Sequence, residues 1–125
     1  MVKCPENELI EITKGELLPK CMEMKKSGLR FSQGCAAFWD GRYELSYSFA
    51  DDETYEYKTL RLAAELDEEI PSITEIIPTA VFYENEMAEM YGVKIRMIST
   101  DYRNKLYRID EEAPLLPKDA REPLK

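Results

Sequence analysis

The chain contains no histidine among its 125 residues. That absence removes the commonest general base, the usual Ser-His and Cys-His nucleophile systems and every imidazole-based metal site. Cysteine is scarce: Cys4, Cys21 and Cys35 are odd in number and form no C-x-x-C pair. They suggest neither a disulfide framework nor an iron–sulfur or structural zinc site, and reduced, partly buried thiols are the expected state. No apolar run approaches the roughly 20 residues that a membrane-spanning helix needs. The opening Met-Val-Lys-Cys-Pro-Glu-Asn-Glu lacks the apolar core of a signal peptide, which makes the cytoplasm the expected compartment. A glycine-rich phosphate loop, an internal repeat and a low-complexity tract are also missing. The length fits one domain.

What is present is acid, unevenly spread. The net charge is −8. Between Asp40 and Met90 there are 14 Asp and Glu against Arg42, Lys58 and Arg61, a local −11, whereas Lys94 to Lys125 carries eight bases against six acids. An acidic body argues against nucleic acid and against an anionic membrane surface as partners. The basic C-terminal stretch reads either as a solvated terminus or as a tail that seeks an acidic partner.

Thr13-x-x-Glu16 has the spacing of a capping box and opens a first helix. Leu17, Leu18, Cys21 and Met22 make its apolar stripe, Pro19 places the start of its regular part in question, and Gly28 ends it. Leu29 to Trp39 and Arg42 to Ala50 are strand-like runs separated by Asp40-Gly41, a pair suited to the two positive φ angles of a type I′ turn. Pairing Trp39 with Arg42 sets Phe38 opposite Tyr43, Ala36 opposite Leu45 and Gly34 opposite Tyr47. Tyr43, Leu45, Tyr47 and Phe49 alternate with polar residues, as a half-buried strand requires. Asp51-Asp52-Glu53 makes the next turn and lacks calcium-loop spacing, so it reads as a solvated loop. A third strand over Tyr55 to Leu66 turns Leu60, Leu62, Ala64 and Leu66 to one side. Lys94 to Ile98 is a short strand-like run, and the chain beyond Ser99 reads as extended and irregular.

The segment from Pro71 to Val93 is the most informative. Ser72-x-x-Glu75 reads as a second capping box. Pro78 has no N–H to donate and crowds the carbonyl four residues earlier, so it forbids one uninterrupted helix. The expectation is a short first turn, a break near Ile77-Pro78, and a main helix to about Tyr91 stopped by Gly92 in a left-handed position. At about 100° per residue, Ala80, Tyr83, Met87, Ala88, Met90 and Tyr91 share one broad arc. Glu84 lies in the middle of that apolar arc, while Phe82 points to the acidic side with Asn85 and Glu89. Two readings stand: Glu84 reaches to the edge and Phe82 packs on a neighbouring loop, or the helix has two contact faces, one for its own core and one for a partner.

The element order is helix, three-strand meander, helix, short strand, tail. The fold class is therefore α+β, an antiparallel sheet (the meander plus the short strand) with two main helices packed on it. Residues 1–100 are expected to form a single domain and 101–125 an extended C-terminal tail. No nucleophile has a base beside it, so a binding or structural domain is favoured over an enzyme acting alone.

Leu60-Arg61-Leu62, an acidic loop, Pro71-Ser72-Ile73-Thr74-Glu75-Ile76-Ile77-Pro78 and Glu84-Asn85-Glu86-Met87-Ala88-Glu89-Met90-Tyr91-Gly92-Val93 together resemble the thirty-kilodalton subunit family of respiratory complex I. The likeness is strongest to the short version in membrane-bound energy-converting nickel–iron hydrogenases. That family has P-S-x-T-[DE]-[IL]-x-P before a helix bearing E-R-E-x-x-[DE]-[LIVMF]-[FY]-G-[IV]. Glu84, Glu86, Glu89, Met90, Tyr91 and Gly92 match, and Asn85 stands where the family has arginine. The resemblance covers about residues 29 to 108. Complex I members continue with G-H-P-D-L-R-R and a long extension, whereas this chain reads Met97-Ile98-Ser99-Thr100-Asp101-Tyr102-Arg103-Asn104-Lys105, which favours the hydrogenase-type relatives.

The resemblance implies a non-catalytic assembly subunit of an oxidoreductase complex, peripheral on the cytoplasmic side of the cell membrane. It would bridge the large catalytic subunit and the ferredoxin-like iron–sulfur subunit of a complex that passes electrons from ferredoxin to protons and couples this to ion translocation. It implies no catalytic, cofactor or metal residue in this chain; nickel–iron and iron–sulfur centres belong to the partner subunits, which the tail over 101–125 would contact. The residues expected at the partner interface are Phe82, Glu84, Asn85, Glu86, Glu89, Arg103, Lys105 and Arg108, with Glu84, Glu86 and Glu89 divided between the domain's core and basic groups of the partner. Alanine at both Phe82 and Glu84 is expected to release the subunit and spare its fold. The alternatives are the same role in a complex I-like NADH/quinone dehydrogenase or hydrogen lyase, and a free-standing α+β interaction module.

Overall fold

The computed structural model describes residues 7–120. Cys4 and the last five residues of the tail lie outside that range, as do the expectations that fall on them.

The Thr13–Glu16 capping box is present: the Glu16 carboxylate accepts from the Thr13 N–H at 3.1 Å and from its hydroxyl at 3.0 Å. These bonds hold the Glu16 carboxyl below its usual range. A single 3-10 turn, Lys14–Glu16, leads into helix α1, Leu17–Lys26. Pro19 is accommodated in its first turn, where an N–H has no intrahelical partner in any case. The buried stripe is Leu17, Cys21 and Met24; Met22, expected inside, is 49% exposed. The stripe follows the three- and four-residue steps from Leu17, and Met22 lies off that line.

Strands β2 (Arg30–Trp39), β3 (Arg42–Ala50) and β4 (Tyr57–Ala64) form the expected meander. Asp40 and Gly41 adopt φ of 53° and 80°, and the register pairs Trp39 with Arg42, Ala36 with Leu45 and Gly34 with Tyr47. A bulge between Phe31 and Gln33 interrupts the ladder near the far end. Next to β3, the Asp51 carboxylate caps the N–H groups of Glu53 and Thr54 at 2.8 and 3.1 Å, so this acidic turn is held by its own backbone.

Two features correct the expected sheet. Glu8–Ile12 forms a strand, β1, that pairs in parallel with β4, so the order is β1-β4-β3-β2 and the sheet is mixed. Only Ile12 of β1 is buried, and Glu11 interrupts its three apolar residues, so no periodicity announces it. The short run after the second helix narrows to β6, Lys94–Arg96, and does not join the main sheet. It pairs in parallel with β5, Glu69–Pro71, in a separate two-stranded ribbon.

Both helices cover one face of the large sheet. Tyr43, Leu45, Tyr47 and Phe49 from β3 and Leu60, Leu62 and Ala64 from β4 meet Leu17, Cys21 and Met24 of α1 and Met87 of helix α2, Val81–Tyr91. α2 lies close on β2: a Cβ on Gly34 would stand 2.9 Å from the Met87 methyl and 3.5 Å from the Tyr83 Cβ. Leu116 also enters this core, with Ala113 and Ala120 packed against it. Residues 100–120 are thus folded back on the domain.

Candidate functional site

The segment before α2 breaks where the sequence says it should. Residues 74–76 form a turn closed by the Ile77 N–H on the Ile73 carbonyl at 2.8 Å. Pro78 then begins a 3-10 turn, Pro78–Ala80, that runs into α2. At the other end Gly92 takes φ 77° and donates to the Ala88 carbonyl at 3.0 Å. This is the left-handed stop expected of glycine.

Ser72, however, caps nothing at Glu75, whose side chain is on the surface. Its hydroxyl donates instead to Glu84 Oε1 at 2.6 Å, twelve residues on, and the Ile73 N–H donates to Glu84 Oε2 at 3.1 Å. Ser72 Oγ accepts from the Thr74 N–H at 3.1 Å and lies 2.7 Å from Thr74 Oγ1, which in turn accepts from the Ser99 N–H at 2.9 Å. A capping box is a local device, and a buried carboxylate in need of donors outcompetes it.

Glu84 is fully buried. Burial pushes its carboxyl up to about 7 against the opposing pull of the Ser72 and Ile73 bonds. Two further buried groups face it. Burial, and secondarily the Glu84 charge, raises the Cys21 thiol to about 12, and the same causes hold the Tyr47 phenol well above its usual range. Tyr47 Oη has no hydrogen-bond partner among the described residues. An orphaned buried hydroxyl is destabilising. Tyr47→Phe is therefore expected to raise stability by about 1 kcal/mol in urea unfolding; a decrease would mean that the hydroxyl has a partner after all.

The opposite face of α2 is equally occupied. The Asn85 amide donates to the Val81 carbonyl at 2.8 Å and the Thr100 carbonyl at 2.9 Å, and its oxygen accepts from the Tyr102 N–H at 2.9 Å. Glu89 Oε1 accepts from the N–H groups of Leu106 and Tyr107 at 2.8 and 3.1 Å, while its buried Oε2 has no partner among the described residues. Glu86 takes the Tyr107 hydroxyl at 2.6 Å, a bond that pushes the phenol up. Residues 100–107 therefore lie across α2 as a strap, turned at Arg103 and Asn104, both at positive φ.

The second face of the helix is covered in part by the chain itself, at Asn85 and Glu89, and open at Phe82 and Glu86. Of the eight residues expected at a partner interface, Glu84, Asn85 and Glu89 are turned into the chain's own interior, each at most 2% exposed. Phe82, Glu86, Arg103, Lys105 and Arg108 remain on the surface. Phe82, 57% exposed, stacks on Tyr102 with ring centroids 6.3 Å apart and 21° between the planes. Sequence reasoning missed the Ser72 hydroxyl and the Ile73 N–H as partners of Glu84, and Tyr102 and Tyr107 as the strap's contacts. The signal available for the first pair was the misplaced carboxylate itself.

Residues 10–117 match the family described as "Respiratory-chain NADH dehydrogenase, 30 Kd subunit". The chain belongs to that family. Among curated members, the C subunit of the NADH-quinone oxidoreductase of Ruegeria pomeroyi is 29% identical over 79 residues, which are 58% of this chain and 40% of the relative. Its counterpart from Sinorhizobium medicae is 29% identical over 80 residues, 59% and 40% of the two chains. The chain thus matches about two fifths of the length of these relatives. Its fold is that of a chain in the membrane-bound sulfane sulfur reductase, an archaeal respiratory membrane complex, with a TM-score of 0.78 at 21% identity over 94% of this chain and 72% of that one. Among the described residues no helix is long and apolar enough to cross a membrane.

Proposed function

We propose that this chain is a non-catalytic structural subunit of a complex I-like respiratory assembly, held peripherally on the cytoplasmic side of a membrane. In this reading it joins the large catalytic subunit to the ferredoxin-like iron–sulfur subunit of an energy-converting hydrogenase. Nickel–iron and iron–sulfur centres would sit in those partners, and electrons would pass from ferredoxin to protons with coupled ion movement. The observation that carries the reading is the use made of the family's helix pattern. Glu84 and Glu89 lock two neighbouring segments onto α2, so the pattern builds a rigid docking element. What that element offers outward is the Phe82–Tyr102 stack beside Arg103, Lys105 and Arg108. Aromatic and arginine side chains of this kind anchor protein interfaces. The stretch 94–108 carries five bases (Lys94, Arg96, Arg103, Lys105, Arg108) against Asp101, a local +4 on a chain of −8.

A second reading, the same role in an NADH/quinone dehydrogenase, is favoured by the names of the curated relatives. Native purification of the tagged full chain, with mass spectrometry and nickel analysis of what comes with it, separates the two. A stoichiometric large subunit with paired C-x-x-C motifs and bound nickel supports the hydrogenase reading, and one lacking both supports the dehydrogenase. A monodisperse chain with no partner overturns both. Phe82→Ala is the interface probe of choice and should cut partner recovery at least tenfold while leaving the fold intact. Glu84 no longer serves as a second probe, because its substitution would strike the core.

A further inference from the structure

Glu84, Ser72, Thr74 and Ser99 form one continuous line of hydrogen bonds of 2.6, 2.7 and 2.9 Å from the core of the domain to the root of the strap. With Glu84 ionised, every donor in the line points toward the carboxylate: the Ser99 N–H to Thr74 Oγ1, the Thr74 hydroxyl to Ser72 Oγ, and the Ser72 hydroxyl to Glu84 Oε1. Ser72 Oγ is then saturated, since it also accepts from the Thr74 N–H. Aligned donors that end on a charge reinforce one another.

The two carboxylate oxygens are not equivalent toward a proton. Oε2 faces a backbone N–H, which can only donate, so it remains an acceptor. Oε1 faces a hydroxyl, which can turn round. A proton taken from solvent therefore settles on Oε1 and is donated to Ser72 Oγ. The Ser72 hydroxyl then swings to Thr74 Oγ1, which already receives the Ser99 N–H. Two donors now converge on Thr74, and its own hydroxyl proton has lost its acceptor among the described residues. Thr74 is 2% exposed, so water does not readily replace that acceptor.

We propose that this line is a proton-operated latch, in which protonation of Glu84 reverses the Ser72 hydroxyl and weakens the tie between Thr74 and Ser99 that anchors the strap. The groups facing Glu84 suit the task. Tyr47 from β3 and Cys21 from α1 are both buried and neutral, and no Lys or Arg among the described residues pairs with the carboxylate. The carboxyl thus changes charge near neutrality. The latch concerns the chain alone and stands or falls apart from the identity of its partners.

Nuclear magnetic resonance of the full-length chain between pH 5.5 and 8.5 tests it, following the Glu84 carboxyl carbon together with the amides of Ile73 and Ser99. The expected result is a single shared midpoint, with the protection factor of the Ser99 amide, its exchange rate referred to the intrinsic rate at each pH, at least threefold lower at the acid end. Ser72→Ala should leave Glu84 titrating but silence the Ser99 response, because the hydroxyl that reverses is gone. Ser99 responding equally in that variant, Glu84 titrating without Ser99, or no titration of Glu84 in this range would each overturn the latch. Glu84→Gln should abolish both responses, and if it fails to fold the Ser72 variant decides alone.

Discussion

Replacing Asn85 by alanine is expected to free the strap and cost about 2–4 kcal/mol, on the basis of three side-chain bonds at about 1 kcal/mol each. The loss falls in the upper part of that range if the Thr100 carbonyl and Tyr102 N–H stay partly buried with no replacement. The amides of Tyr102, Leu106 and Tyr107 should lose protection against hydrogen exchange while those of β3 and β4 keep theirs. Unchanged protection at Tyr102 would sink the idea. The variants Asn85→Asp and Asn85→Arg each keep part of the bonding. Aspartate keeps the acceptor for Tyr102 and loses both donations; arginine keeps the donations and has no acceptor at all. Aspartate also sets a buried charge against two carbonyl oxygens and arginine buries an unpaired cation, so both should be at least as destabilising as alanine. The same chemistry accounts for asparagine where the family pattern has arginine: this strap offers a carbonyl and an N–H side by side, and only an amide answers both.

The second large effect is a fall in stability as pH rises from 5 to 8. Burial lifts the Glu84 carboxyl from 4.5 to about 7 in the folded chain. Below 4.5 it is protonated whether the chain is folded or not. Between 4.5 and 7 the unfolded chain releases the proton and the folded chain retains it, so each step up in pH favours unfolding. The stability present at the acid end is lost as pH rises through this interval, on the order of 3 kcal/mol in total, and the curve is flat above it. Asp51 and Glu16 act in the opposite sense, since their carboxyls are lowered and their contribution disappears only on acidification below the ordinary carboxylate range. Urea midpoints at pH 5, 6, 7 and 8 should thus slope downward, and Glu84→Gln should remove most of the slope. A stability that rises with pH in the parent would show that the buried carboxylate is compensated. Local and global responses then run in opposite directions: in acid the fold as a whole is firmer while its strap is looser.

Much of this was legible from short-range steric rules. Asp40-Gly41 sets the register of the seven strand pairs from Trp39–Arg42 to Gln33–Ser48, because two positive φ angles in a two-residue turn leave one alignment open; the two pairs beyond the Phe31/Gln33 bulge are shifted by one residue. Pro78 and Gly92 bounded α2 for reasons that concern their own backbones. The wheel of α2 singled out Glu84 as misplaced and Phe82 as exposed, and both are as read. What stayed hidden depends on residues distant in sequence. The sequence spacing points Ser72 to a neighbour three residues away, whereas its partner is twelve away. β1 has no pattern of its own and exists because β4 offers it an edge. The second face of α2 was reserved for another molecule, since nothing in the periodicity of residues 100–107 announces that their N–H groups meet Asn85 and Glu89.

The parallel pairing of β1 with β4 has a thermodynamic corollary. Glu8 lies opposite Lys58, so this one edge closes a loop of fifty residues, whereas a two-residue turn joins β2 to β3. Loop-closure entropy grows with the logarithm of length, which makes the long closure more costly by about 3 kcal/mol in folding from the open chain. β1 brings only five residues and one buried side chain to set against it. Its departure gives up little packing, so local opening of the sheet is expected to begin at that edge.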